Sequence, residues 1–334
     1  MKRMRNAVAA VVAASLTLAS NGGWAQGAAK GATRTFPEKP IRLLVPFAAG
    51  GNTDILSRAV GQRMTEHWGT PVIVDNRPGG SGFLATGIVR QASPDGYTVL
   101  VGSTGELSIN PSLFGKLPYD VQRDFAPVSL GTISPILVAA HPSFAPKTIK
   151  ELIALAKAKP KTLAYASVGV GSPMHLSGEL FKMITATDIV HVPYKGGAPA
   201  ATALIGGQEV QFGFVGMGPA IPHVQAGRMK ALAISTARRA TLLPDVPTMQ
   251  ESGVKGFDTS IWFAFLVPAK TPKSVVAKLN EELNRILKLA EVRAFLIKTG
   301  VEVSPSTPDE LARFIKSETD KYRRIIQVSG TKLD

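Results

Sequence analysis

One short pattern recurs along this chain: an apolar run rich in branched residues, a glycine-rich turn, then a stretch with helical spacing. That order constrains the fold more than any other feature, because strands that alternate with helices pair mainly in parallel and are covered on both faces. Residues 41–47 are the first apolar run and lead into 55–68, where Ile55, Leu56, Ala59, Val60, Met64 and Trp68 fall close to helical spacing. Residues 72–75 and 97–102 read as further strands, with a helical stretch near 83–91 between them. A second series begins near Val128, with buried strands expected at 163–167, 189–194, 210–215 and 231–235. Thr148-Ile-Lys-Glu151 has a capping-box pattern, and Pro160 ends the helix that follows. Thr271-Pro272 and Thr307-Pro308-Asp309-Glu310 each put a cap residue before proline at the first helical position. Leu279, Leu283, Ile286 and Leu287, then Leu311, Phe314, Ile315, Tyr322 and Ile325, give those helices their apolar stripes. The expectation is an α/β chain of two domains, each a mainly parallel sheet flanked by helices.

In such sheets ligands sit outside the carboxyl ends of the strands, against helix N-termini. Six glycine-rich turns occupy those places. Phe47-Ala-Ala-Gly-Gly-Asn-Thr-Asp54 follows the first strand; its glycines permit close backbone approach, and the helix behind it offers free N–H groups to an anion. It is neither a P-loop nor a dinucleotide fingerprint, and Gly-Gly-Asn is also what an ordinary capped turn needs. Asn76-Arg77-Pro78-Gly79-Gly80-Ser81-Gly82, Gly102-Ser-Thr-Gly-Glu106, Ser167-Val-Gly-Val-Gly-Ser-Pro-Met-His175, Val192-Pro-Tyr-Lys-Gly-Gly197 and Val215-Gly-Met-Gly-Pro219 complete the set. Together they predict a cleft lined by amides and small hydroxyls, which suits a carboxylate. The candidate contacts are Phe47, Ala48, Asn52, Thr53, Asp54, Ser81, Thr104, Glu106, Ser167, Gly169, Ser172, His175, Lys195, Gly216 and Met217.

The chain has no cysteine, which excludes disulfides, thiol nucleophiles and thiolate metal sites. Its five histidines, His67, His141, His175, His191 and His223, form no close ligand pair, so no metal and no cofactor is expected. Ser172 and His175 stand three apart, but Gly171-Ser172 runs into Pro173 and reads as helix capping rather than a nucleophile elbow. Asp54 and Glu106 read as a helix cap and a loop carboxylate rather than paired acids. Lys2, Arg3 and Arg5 precede an uncharged run at 7–19 and a small-x-small site at Gly23-Trp24-Ala25, the pattern of a secretory signal. The run is short for a membrane span, which takes roughly 20 residues. Loss of residues 1–25 lowers the formal charge from +14 to +11 and leaves a protein expected to be soluble in the periplasm. Its basic residues are dispersed, with no aromatic interleaving, so no nucleic-acid partner is expected.

Phe36-Pro-Glu-Lys-Pro-Ile-Arg-Leu-Leu-Val-Pro-Phe-Ala-Ala-Gly-Gly-Asn-Thr-Asp54 resembles the opening of the tripartite tricarboxylate transporter receptors, also called Bug receptors. Val74-Asp-Asn-Arg-Pro-Gly-Gly80, Pro94-Asp-Gly-Tyr-Thr98, Asn110-Pro-Ser-Leu-Phe114, His191-Val-Pro-Tyr-Lys-Gly196 and Leu243-Pro-Asp-Val-Pro-Thr248 resemble further family signatures, in order along the chain. The resemblance implies a two-lobed, type II periplasmic-binding-protein fold of Venus-flytrap form, with lobe 1 at 26–131 and 259–334 and lobe 2 at 132–258. Strands near 128–133 and 261–267 would cross between the lobes. It implies a monomeric, non-enzymatic receptor that closes over a small carboxylate and passes it to membrane subunits of a transporter. Many relatives carry Phe-Asp-Asn where this chain has Phe214-Val215-Gly216, and an acidic residue there can pair with a ligand ammonium. Its loss favours a di- or aromatic carboxylate over an amino acid. A periplasmic lyase or hydrolase, or a receptor feeding a sensor, are the alternatives.

Overall fold

In the computed structural model, residues 36–333 are described, and the expected signal segment 1–25 lies outside them. The first half of the chain order is β1 (Ile41–Val45), α1 (Asn52–Trp68), β2 (Val72–Asn76), α2 (Phe83–Gln91), β3 (Thr98–Ser103), α3 (Asn110–Leu113), α4 (Val121–Asp124) and β4 (Phe125–Ala140). Then come α5 (Ile149–Ala158), β5 (Ala164–Ser167), α6 (Pro173–Thr185), β6 (Val190–Pro193), α7 (Gly197–Gly206), β7 (Phe212–Gly216), α8 (Met217–Gln225) and β8 (Lys230–Ile234). The chain closes with β9 (Ser260–Pro268), α9 (Lys273–Leu287), α10 (Ala290–Lys298), β10 (Glu302–Val303) and α11 (Pro308–Ser329). Among the described residues, no helix is long and apolar enough to cross a membrane.

The strands form one curled sheet in the order β2-β1-β3-β9-β4-β7-β5-β6, with β8 and β10 also on β4. β1 pairs in parallel with β2 and β3, and β5 does so with β6 and β7, as the alternating pattern predicts. The antiparallel ladders belong to the two long strands, β4 and β9, and to the strands laid against them. β4 spans 16 residues; Phe125–Pro135 pairs with β9, and Ile136–Ala140 pairs with β7 and, from Leu137, with β8. It therefore belongs to both halves of the molecule, and β9 enters the first half beside it.

Alternate residues of the strands face opposite layers. Leu43, Val45, Val99 and Val101 pack with Leu56 and Val60 of α1 and Leu283 and Ile286 of α9. Leu44, Leu100 and Trp262 face the other way, toward Ala85 and Val89 of α2 and Leu311 and Ile315 of α11. Further along α11, Tyr322, Ile325 and Ile326 join Phe181 of α6, so this helix packs on both halves. Ser172 caps α6 and Thr307 forms a full capping box on α11, as the sequence predicts. Two caps differ. Thr271 donates its hydroxyl to the Pro268 carbonyl (2.8 Å), leaving Pro272 at the N-cap of α9 without a side-chain cap. α1 begins at Asn52 with Gly51 in the cap position, so Asn52, Thr53 and Asp54 lie inside its first turn.

Candidate functional site

The sheet register brings the glycine-rich turns together. Ser103, at the end of β3, lies opposite Phe263 of β9, and Phe263 lies opposite Thr132 of β4. Gly216, at the end of β7, lies opposite Ile136 of the same strand. Thr132 and Ile136 are four residues apart, about 13 Å at roughly 3.3 Å per residue. The carboxyl ends of β3 and β7 thus both lie at the crossing of β4 and β9.

On the β1–β3 side, the turn after β1 is tied down from within. Asp54 is buried and accepts hydrogen bonds from the Gly50 amide (3.0 Å) and the Arg58 guanidinium (2.9 Å). Burial works to raise its pKa, but these bonds outweigh it and hold the carboxyl below its usual range. Asn76 links the turns after β1 and β2 by donating to the Phe47 carbonyl (3.1 Å) and accepting from Arg58 (3.3 Å). Thr53 is buried and Asn52 half-buried, whereas Phe47 and Ala48 are exposed at the tip. Ser81 is exposed in a left-handed conformation (φ 52°), its carbonyl accepting from Asn110 (2.9 Å). Thr104 is wholly buried and accepts the Trp262 amide (2.7 Å), fastening β3 to β9.

Glu106 is buried in a π-helical turn at Gly105–Ile109, where it accepts the Ser103 amide (2.5 Å) and hydroxyl (2.8 Å). A Cβ on Gly82 would lie 3.2 Å from the Glu106 Cβ, so the turn after β2 rests directly on this side chain. Burial raises the Glu106 pKa to about 7, with the hydrogen bonds acting the other way. A raised carboxyl contributes stability that is full below its unfolded value of 4.5 and is lost as pH rises through 7. Glu106→Gln removes that dependence while keeping an acceptor for the Ser103 amide. Urea unfolding should show the stability difference between variant and parent moving by about 3 kcal/mol in the variant's favour from pH 4.5 to 8. A difference that stays constant with pH would contradict the assignment.

On the β5–β7 side, the turn after β5 is held by a stacked histidine pair, His175 buried and His191 half-buried. Ser167 is fully buried and lies 2.7 Å from His191 Nε2, and its oxygen accepts the Gly169 amide (3.2 Å). His191 stacks on His175 (3.9 Å between ring centroids), whose Nδ1 accepts the Gly171 amide (3.0 Å). Burial lowers both imidazoles to about 4, with Lys182 acting in the same direction and, for His191, His175 as well. Both rings are neutral near pH 7, which leaves His175 Nδ1 free to accept. Ser172 donates to the Gly169 carbonyl (2.7 Å) and accepts the His175 amide (3.2 Å). The turns after β6 and β7 adjoin this one: the Tyr194 amide donates to the Ser167 carbonyl (3.0 Å), and a Cβ on Gly197 would lie 3.3 Å from Pro219. Met217 and Gly216 are buried there, and Lys195 is exposed with no hydrogen-bond or ion-pair partner among the described residues.

Most of the polar candidate side chains are therefore committed to the protein. Asp54, Thr104, Glu106, Ser167, Ser172 and His175 shape the turns. What remains open to a ligand is the Lys195 ammonium, Asn52, Ser81, the amides of Ala48 and Ala49, and the first N–H groups of α1 and α8. No hydrogen bond joins the turn at 47–54 to those at 167–175, 193–197 or 216–218 among the described residues. The sequence reading omitted His191 and Asn76 from the site. Strand alternation offers a signal for His191, since the parallel register puts it beside Tyr165, two residues before Ser167.

The family model for the tripartite tricarboxylate transporter family receptor matches residues 56–331. Protein BugT of Bordetella pertussis is 35% identical over 300 residues, covering 90% of this chain and 92% of BugT. Among solved structures, R. palustris Rpa4515 with adipate is 33% identical with a TM-score of 0.77, covering 89% of this chain and 99% of that one. MatC from Rhodopseudomonas palustris with bound malate is 34% identical with a TM-score of 0.72, covering 87% of this chain and all (100%) of MatC. The two-lobed α/β fold of periplasmic binding proteins expected from the resemblance is the fold found. The chain belongs to the tripartite tricarboxylate transporter receptor family.

Proposed function

We propose that this protein is a periplasmic solute-binding receptor that captures a small organic carboxylate and delivers it to the membrane subunits of a tripartite transporter. The observation that carries the reading is the meeting of amide-rich strand ends at the β4–β9 crossing, with Lys195 beside them and without a partner among the described residues. Backbone N–H groups at the starts of α1 and α8 hold one carboxylate, and Lys195 supplies the cation. Of the described residues, lobe 1 takes 36–131 and 259–333 and lobe 2 takes 132–258, so the lobes turn about β4 and β9 and close on the ligand. Residues 1–25 direct export and are removed.

The ligand is a di- or aromatic carboxylate. Adipate and malate, held by two relatives, are the first to test. Val215 and Gly216 offer no carboxylate to a ligand ammonium, which disfavours an amino acid. Calorimetric titration should find tight binding of a dicarboxylate and none of amino acids; the reverse pattern would overturn the assignment. Lys195→Ala should weaken binding tenfold or more, since charge-assisted hydrogen bonds contribute about 1.5–3 kcal/mol. Unchanged affinity in that variant would remove Lys195 from the site.

The hydrolase alternative would centre on Ser167 and His191. That serine is fully buried, its oxygen already accepts the Gly169 amide, and among the described residues no carboxylate is hydrogen-bonded to the histidine's free nitrogen. Turnover of a bound carboxylate or its ester would favour the enzyme instead.

A further inference from the structure

A cavity of about 560 Å³ contains none of the candidate carboxylate contacts. It lies against Ile133 and Pro135 of β4, where the strand passes from one half to the other, and its walls come from both sides of that point. The segment after β8 contributes Arg238 and Arg239, and α10, β10 and α11 contribute Arg293, Glu302 and Glu318. The volume falls within the range of roughly 300–1,000 Å³ typical of small-molecule pockets.

The charges in it are unequally occupied. Glu318 accepts the Trp262 indole N–H (3.1 Å) and the Lys321 ammonium (2.5 Å). Glu302 accepts the Thr241 amide (2.7 Å) and hydroxyl (2.8 Å). Arg239 is engaged by Glu251 (2.8 Å) and the Pro244 carbonyl (3.0 Å). The guanidinium groups of Arg238 and Arg293 have no partner among the described residues. Among the described residues, Asp258 is the acidic side chain of the lining without a partner, and its own carbonyl holds Lys321 beside it (2.9 Å). Guanidinium forks match the planar, paired oxygens of carboxylates and phosphates.

We propose that this cavity is a second anion site, which takes a small doubly charged oxyanion, a phosphate or a dicarboxylate, between Arg238 and Arg293. An ion held there bridges the segment after β8 to α10, across the crossing strands. Trp262 is a built-in reporter, because Glu318 and Phe314 line the cavity and both touch it, the phenyl ring at 5.2 Å between centroids.

The test titrates the purified protein with inorganic phosphate at low salt and with no carboxylate present, read by calorimetry and tryptophan emission. Its outcome is thus separate from that of the cleft. Saturable binding that weakens at least tenfold in the Arg238→Ala, Arg293→Ala double variant is expected. A parallel titration with malate identifies the other source: two sites in the parent and one in the double variant would assign the cavity to a second carboxylate. Binding unaffected by the double substitution, or no saturation by either anion up to about 10 mM, would sink the proposal. Both arginines are exposed, so the double variant should unfold at the parent's temperature.

Discussion

Gly300→Ala should lower carboxylate affinity at least tenfold and cost about 2–4 kcal/mol of stability. Gly300 follows α10 with φ +85°, and a Cβ there would lie 2.7 Å from the Gly218 amide nitrogen and 3.0 Å from the Met217 Cβ. Those neighbours are the first residues of α8, whose N–H groups are proposed to hold the ligand. They are backbone or close to it, so they cannot swing aside as a flexible side chain would. The added methyl therefore pushes the start of α8 away from the turn after α10, and the left-handed backbone adds about 1 kcal/mol of its own. Gly227→Ala separates the two effects. Gly227 shares the positive φ (+68°) but has nothing within 4 Å of its would-be Cβ. That variant should lose about 1 kcal/mol and bind carboxylate like the parent. Urea unfolding and calorimetry on both variants decide the matter. A Gly300→Ala protein that binds normally would show that the start of α8 does not contact the ligand.

This contact also marks where sequence reasoning stops. The strands and caps were legible because they are local: branched apolar runs at 41–47 and 210–215 became β1 and β7, and Ser172-Pro173 became the cap of α6. The turns that meet at the cleft were legible for the same reason, since each directly follows an apolar run. The roles of their side chains were not. Ser167, Thr104 and Glu106 look like ligand contacts in the sequence, yet each is consumed by a partner that only the folded chain supplies: His191 from a neighbouring strand, Trp262 from 158 residues away, and the Ser103 amide through a π-helical turn. Short polar residues at strand ends satisfy orphan backbone groups as readily as they bind ligands, and spacing cannot tell the two apart. The Gly218–Gly300 approach was likewise invisible, because close packing of two distant backbones leaves no periodic trace.

Acid should unfold this protein through its histidine pair well before most of its carboxylates titrate. His175 and His191 have folded pKa values of about 4 against an ordinary 6.5, burial being the main cause for each. Between those limits the unfolded chain binds a proton at each ring and the folded chain does not, so stability rises with pH across that window and is lost as pH falls from 6.5 toward 4. The loss is on the order of 3 kcal/mol for the buried His175 and smaller for the half-exposed His191, where solvent screens the charge. Glu106 opposes this, because its raised pKa makes the folded state the better proton binder from 4.5 to 7. The Glu106→Gln background removes that offset, and its stability should climb between pH 4.5 and 6.5 with a slope approaching two protons, against about one in the parent. The local consequence is specific. Protonated Nδ1 of His175 can no longer accept the Gly171 amide, so the protection of that amide against exchange should fall as pH approaches 4, ahead of global unfolding. His175→Gln supplies an acceptor that does not titrate, and it should flatten the acid limb by about one proton while preserving the turn. If unfolding free energy in the Glu106→Gln background is level across pH 4.5–6.5, the pair is not held neutral, and the turn after β5 owes its shape to Ser172 and Ser167 alone.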